Sequence, residues 1–218
     1  MPLRVFRCVR LWLNAAMSIF VGIELSRELR LGAGGLVPAG TLEAGGVNLL
    51  SHALKLALKI TPSAMITVLT VEPDEKVLEL VGEFECRESG VMQWVGQLVD
   101  AAPNAKPGDA VVILRQMVPL STESAILQAI ASLRQFRCVV SASKPPAGHE
   151  RHKPLPGQSE PDYVVRAFEV WRLGEFGKYG FSGPNSDPPH QLVGWDSFVE
   201  IDQPEDFLRA GQMLSRAV

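Results

Sequence analysis

The chain has 218 residues, 46% of them hydrophobic and 21% charged, with a formal net charge of -3. That is long enough for one α/β domain with a substantial core and short for two. No long basic run or basic-aromatic alternation occurs, which argues against a nucleic-acid partner. Cys8, Cys86 and Cys138 are far apart with no CxxC, which argues against a disulfide framework or zinc site and fits a cytoplasmic location.

The first 16 residues carry Arg4, Arg7 and Arg10, followed by an uncharged run from Leu11 to Ile23. The pattern resembles a weak signal peptide. It is too short to span a bilayer, and Asn14 interrupts it, so no membrane partner is expected. Residues 1–16 read as an N-terminal extension, either not translated or disordered, and residues 17–218 as a single domain.

"SIFVGIEL" is a β-branched and aromatic run that predicts a buried strand, and a Gly-rich stretch from Arg30 to Gly46 follows it. α/β folds place phosphates against such a loop; an ordinary surface loop has the same composition. "VNLLSHALKLALKI" shows a helical apolar face through Leu49, Leu50, Ala53, Leu54, Leu56, Ala57 and Leu58. Then come a strand in "MITVLTVE", helices in "PDEKVLELVGEF" and "GVMQWVGQLVDAA", a strand after "PGD", a helix in "STESAILQAIASLRQF" and a strand in "RCVVSAS". This alternation predicts a three-layer α/β/α sandwich around a mainly parallel sheet.

From Lys144 the chain turns Pro-rich and carries His149 and His152, so residues 144–195 read as an excursion containing one strand-like run, "YVVRAFEVWRL". Phe168 and Trp171 in that run suit either an interface or a core. In the closing stretch, "FVEID" as a strand puts Glu200 and Asp202 on one face. Pro204, Glu205 and Asp206 read as a helix start, with Pro in the first turn and acids facing the dipole.

The blocks "EAGGVNLLSHALKLAL", "GDAVVILRQMVPLSTESAILQAIASLRQFRCVVSAS", "KPP" and "VEIDQPEDFLRAGQML" together resemble, in order, the cytidylyltransferases that activate acidic sugars, the acylneuraminate and CMP-Kdo synthetase family. The resemblance covers residues 17–218 and is most specific in the closing block. It implies a nucleotide-diphospho-sugar transferase-like fold with a protruding arm at about 144–195 that builds a homodimer. The implied reaction joins CTP and a sialic- or Kdo-type acid to give CMP-sugar and pyrophosphate. Gly34, Gly35, Gly40 and Arg115 would meet the nucleotide, Arg166 the sugar, and Glu200 and Asp202 a Mg²⁺ ion. No catalytic residue is assigned.

Several positions depart from the family. No lysine precedes Lys55, Leu36 and Thr41 stand about where the Gly loop should carry cations, and Met117 replaces an acid. A thioether cannot replace a hard oxygen ligand for Mg²⁺. Arg115 adds a cation at a strand's C-terminal end, to bind an anion or to pair with a nearby carboxylate. Two functions follow as expectations: a cytidylyltransferase-like protein with degraded or lost catalysis, or a non-catalytic homodimer that binds a ligand or partner on the same fold.

Overall fold

The computed structural model describes residues 17–25, 29–30, 36–37, 41–70, 75–101, 105–115, 121–142, 167–179, 190–192 and 204–216. Strand β1 (Ile19–Glu24) is followed by two short hairpins, β2 (Leu29–Arg30) with β3 (Leu36–Val37), and β4 (Glu43–Ala44) with β5 (Val47–Asn48). Helix α1 (Leu49–Ile60), β6 (Ile66–Thr70), α2 (Glu75–Val81), β7 (Glu85–Glu88), α3 (Val91–Ala101) and β8 (Ala110–Arg115) come next. The chain continues through α4 (Glu123–Ser132), β9 (Cys138–Ala142), β10 (Phe168–Arg172), α5 (Leu173–Tyr179), β11 (His190–Leu192) and α6 (Pro204–Arg216).

Seven strands form one sheet in the order β11-β9-β10-β8-β1-β6-β7. All its described pairings are parallel except those of β10, which runs antiparallel between β8 and β9. One face packs Val21, Ile23, Val112 and Leu114 against Leu50, Leu54 and Ala57 of α1, Val77 of α2 and Ile126 and Ile130 of α4. The other packs Phe20, Leu69, Val111 and Ile113 against Trp94 and Val95 of α3 and Phe176 of α5. A sheet buried on both faces explains the continuous apolar runs of β1, β6 and β8.

Local chemistry sets the helix starts. Asn48 caps α1, its side-chain oxygen accepting from Ser51 N at 2.7 Å, and Thr122 caps α4, accepting from Ala125 N at 3.3 Å. On α1, Leu58 faces outward at 49% exposure, so the buried stripe is narrower than the apolar pattern suggested.

The β2–β3 and β4–β5 hairpins fall in and beside the stretch read from sequence as a Gly-rich loop, and three further elements differ from the sequence reading. β7, "ECRE", is a polar edge strand whose Arg87 is held by Glu85 and by Gln97 of α3; charge on an edge protects it from pairing with other chains, and it hides the strand from an apolar pattern. α5 lies in a stretch rich in glycine, where Gly174 N bonds Pro107 O at 3.0 Å and Phe176 packs edge-on against Trp171 at 5.3 Å. β11 has three residues. Within 144–195, residues 168–172 therefore run inside the sheet, and Phe168 and Trp171 belong to its two cores. The rest of the span proposed for an arm, apart from α5 and β11, lies outside the described residues, as do residues 1–16.

Candidate functional site

Strand order reverses between β1 and β8: β6 and β7 extend the sheet on one side of β1, while β8 leads away on the other. In open α/β sheets ligands sit outside the carboxyl ends of the strands at such a switch point. Here those ends are Glu24 and Arg115, which are register partners.

Arg115 extends from β8 on the face of the sheet that carries Ile113. Next to it, on β10, Glu169 pairs in register with Ile113 and has 0% exposure. A guanidinium nitrogen of Arg115 lies 3.4 Å from Glu169 Oε1, and Trp171 Nε1 donates to Glu169 Oε2 at 3.2 Å. A carboxylate removed from water needs such partners, because an unpaired buried charge is strongly unfavourable. Of the two roles open to Arg115, the structure shows the carboxylate pairing. About a third of its side chain, 37%, remains exposed, and its buried Nε has no hydrogen-bond partner among the described residues.

Above this pair the β9–β10 ladder closes on Ser141, whose hydroxyl accepts from Ala167 N at 2.6 Å and Phe168 N at 2.9 Å. Arg115 N donates to Ala167 O at 3.1 Å. On the same face, Gly22 sits beneath the indole of Trp94: a Cβ there would lie 2.5 Å from the ring. The close approach lets α3 rest directly on β1.

Of the residues picked from sequence, Arg115 alone is described. Gly34, Gly35, Gly40, Arg166, Glu200 and Asp202 lie outside the described residues, as does Met117. Glu169 was not picked. Its signal was an acid in the middle of the apolar run "AFEVW". Mg²⁺ takes octahedral oxygen donors, several of them usually water, and no group of three or more metal-ligating side chains occurs among the described residues. Glu169 is engaged by Arg115 and Trp171, and the two acids that the sequence offers for the ion, Glu200 and Asp202, lie outside the described residues.

Among solved structures the chain is similar to a CMP:2-keto-3-deoxy-manno-octonic acid synthetase complexed with CTP, at TM-score 0.61 and 14% identity over 92% of this chain and 100% of that one. It is also similar to a 4-diphosphocytidyl-2C-methyl-D-erythritol synthase, at TM-score 0.64 and 14% identity over 91% and 100% of the two chains. A third, the enzyme of the latter name from Anaerococcus prevotii, has TM-score 0.63 and 16% identity over 92% and 97%. No protein-family model matches the sequence, and no curated protein matches it. The chain thus has a nucleotide-diphospho-sugar transferase-like fold. Within that class its architecture is similar to that of these synthetases.

No helix among the described residues is long and apolar enough to cross a membrane.

Proposed function

We propose that this chain is a cytidylyltransferase-like protein that keeps a ligand-binding cleft at the β1/β8 switch point and has lost nucleotidyl transfer, acting as a non-catalytic homodimer. The observation that carries this is the pairing of Arg115 with buried Glu169. Displacing pyrophosphate from a nucleoside triphosphate requires fixed positive charge where negative charge develops. At the end of β8 that charge is already opposed by a carboxylate, and the Gly-rich segment supplies no lysine.

Titration of the purified protein with CTP and Mg²⁺ in a calorimeter, followed by an assay for pyrophosphate release with a sialic- or Kdo-type acid, tests the reading. Weak nucleotide binding without release is expected. Micromolar binding, about -8 kcal/mol, followed by release would overturn it. That outcome would support the second reading, an active transferase using CTP and an acidic sugar, with Gly34, Gly35 and Gly40 at the nucleotide, Arg166 at the sugar, and Glu200 and Asp202 on Mg²⁺. What favours the second reading is the full-length overlap with the CTP-bound synthetase. Light scattering at low micromolar concentration tests the dimer, and a monomeric mass would remove it.

A further inference from the structure

The Gly-rich segment ends in the β4–β5 hairpin, whose two-residue turn is Gly45–Gly46, both at positive φ, 65° and 75°. Two-residue turns of this hand require positive φ at both central positions, which explains the glycine pair. One side of the hairpin is fastened to α1. Leu49 N donates to Leu42 O at 2.8 Å, His52 Nε2 donates to Ala44 O at 3.0 Å, and Asn48 is the α1 cap.

The opposite side meets α6, far away in sequence. A Cβ on Gly211 would stand 3.1 Å from Gly45 N, and one on Gly45 would stand 3.5 Å from Leu214 Cβ and 3.6 Å from Gly211 O. Gly211 is in the middle of α6. Glycine is unfavourable in a helix interior, so a reason for it is expected in packing. The reason is backbone-to-backbone approach: the helix comes as near to the turn as the absence of a side chain permits.

We propose that Gly211 is a positioning residue, and that its contact with Gly45 fixes the end of the Gly-rich segment against the terminal helix. Helix α6 begins two residues after Asp202, and the hairpin begins three residues after Gly40. One contact therefore ties together the two described elements that adjoin, in sequence, the stretches the second reading above assigns to the ligand. The inference rests on that reading for its purpose and on the hairpin geometry for its existence.

Amide hydrogen exchange on the whole protein, without ligand, tests it. In Gly211→Leu the amides of Gly45 to Asn48 should exchange at least tenfold faster, while those of β1 and β8 keep their wild-type rates. Gly211→Ala, which needs the turn to yield only a few tenths of an ångström, should give a smaller acceleration in the same amides. Leu208→Ala, on the exposed side of α6 at 71% exposure, should give none. Unchanged hairpin exchange in Gly211→Leu would overturn the proposal. So would an equal acceleration throughout the sheet, which would mark Gly211 as globally structural. A second arm with millimolar CTP and Mg²⁺ separates the two claims. Slower hairpin exchange in the wild type supports the ligand reading; no change counts against that reading, while the contact is judged on the ligand-free result.

Discussion

The two ends of β8 are built on opposite plans. At its start, Asp109 has 1% exposure, and its two oxygens accept from Ser18 N at 2.9 Å and Lys106 N at 2.7 Å. At its finish, Glu169 on the neighbouring strand is as deeply buried, but its described partners are a 3.4 Å ion pair and an indole N–H. A carboxylate held by short backbone bonds is fastened into the scaffold. The other lies beside an arginine that is itself partly in water. The difference separates the end that stabilises the sheet from the end where the proposed reading puts a ligand.

The sharpest way to break this comparison is to remove the clasp. Asp109→Ala deletes the acceptor of two charge-assisted bonds and leaves two N–H donors without it, and should destabilise by about 3–5 kcal/mol. Denaturant unfolding measures this. Any ligand affinity measured on the folded protein should be unchanged, and a fall in affinity at intact stability would refute the division of roles.

The opposite end should respond differently. Arg115→Ala removes the guanidinium 3.4 Å from buried Glu169 and should cost about 2–4 kcal/mol, toward the low side of a broken buried pair because part of Arg115 is in water. Removing both charges in Arg115→Met with Glu169→Leu should recover most of that loss, since a buried pair contributes little over apolar packing of similar volume. A double mutant as unstable as Arg115→Ala would mean that Glu169 is held chiefly by other bonds. The pair would then say little about the site.

How much of this was readable beforehand depends on what each residue's neighbours are. β1, β6 and β8 are visible because strands buried on both faces are written as unbroken apolar runs. β7 was invisible because its stabilising partner, Thr67 Oγ donating to Glu85 at 2.9 Å, comes from another strand. The role of Glu169 was hidden for the same reason: its acid was plain in "AFEVW", but that it faces Arg115 follows only from β10 inserting antiparallel beside β8. The Gly45–Gly211 contact joins two elements whose sequences hold no trace of each other.

A smaller effect tests the layer between the two ends. Gly22→Ala puts a methyl 2.5 Å from the ring of Trp94, which is 1% exposed, so the ring or the strand must shift. Overpacking of this kind costs about 1–3 kcal/mol. The strain falls between the ends of β1, so stability should drop without altering the Arg115–Glu169 double-mutant recovery. If the recovery disappears in the Gly22→Ala background, the site and the packing layer are one cooperative unit.

The smallest effect is one of pH. Cys86 lies on edge strand β7, packs partly against the core and forms no disulfide. Burial pushes the Cys86 thiol above its usual range. A thiol that ionises less readily in the fold than in the unfolded chain favours the native state while it stays protonated. Its contribution is fully present below the unfolded value, about 8.5, and is lost as pH rises through the higher folded value. Stability measured by urea unfolding should therefore show no Cys86-dependent slope from about pH 6 to 8 and a downward slope from about pH 9. Cys86→Val should flatten the alkaline slope. The same shift predicts slow reaction with thiol reagents at about pH 8, because the thiolate is the reactive form. Fast labelling of Cys86 would require a depressed value, which belongs to reactive sites, and would place chemistry at the sheet's edge rather than at the switch point.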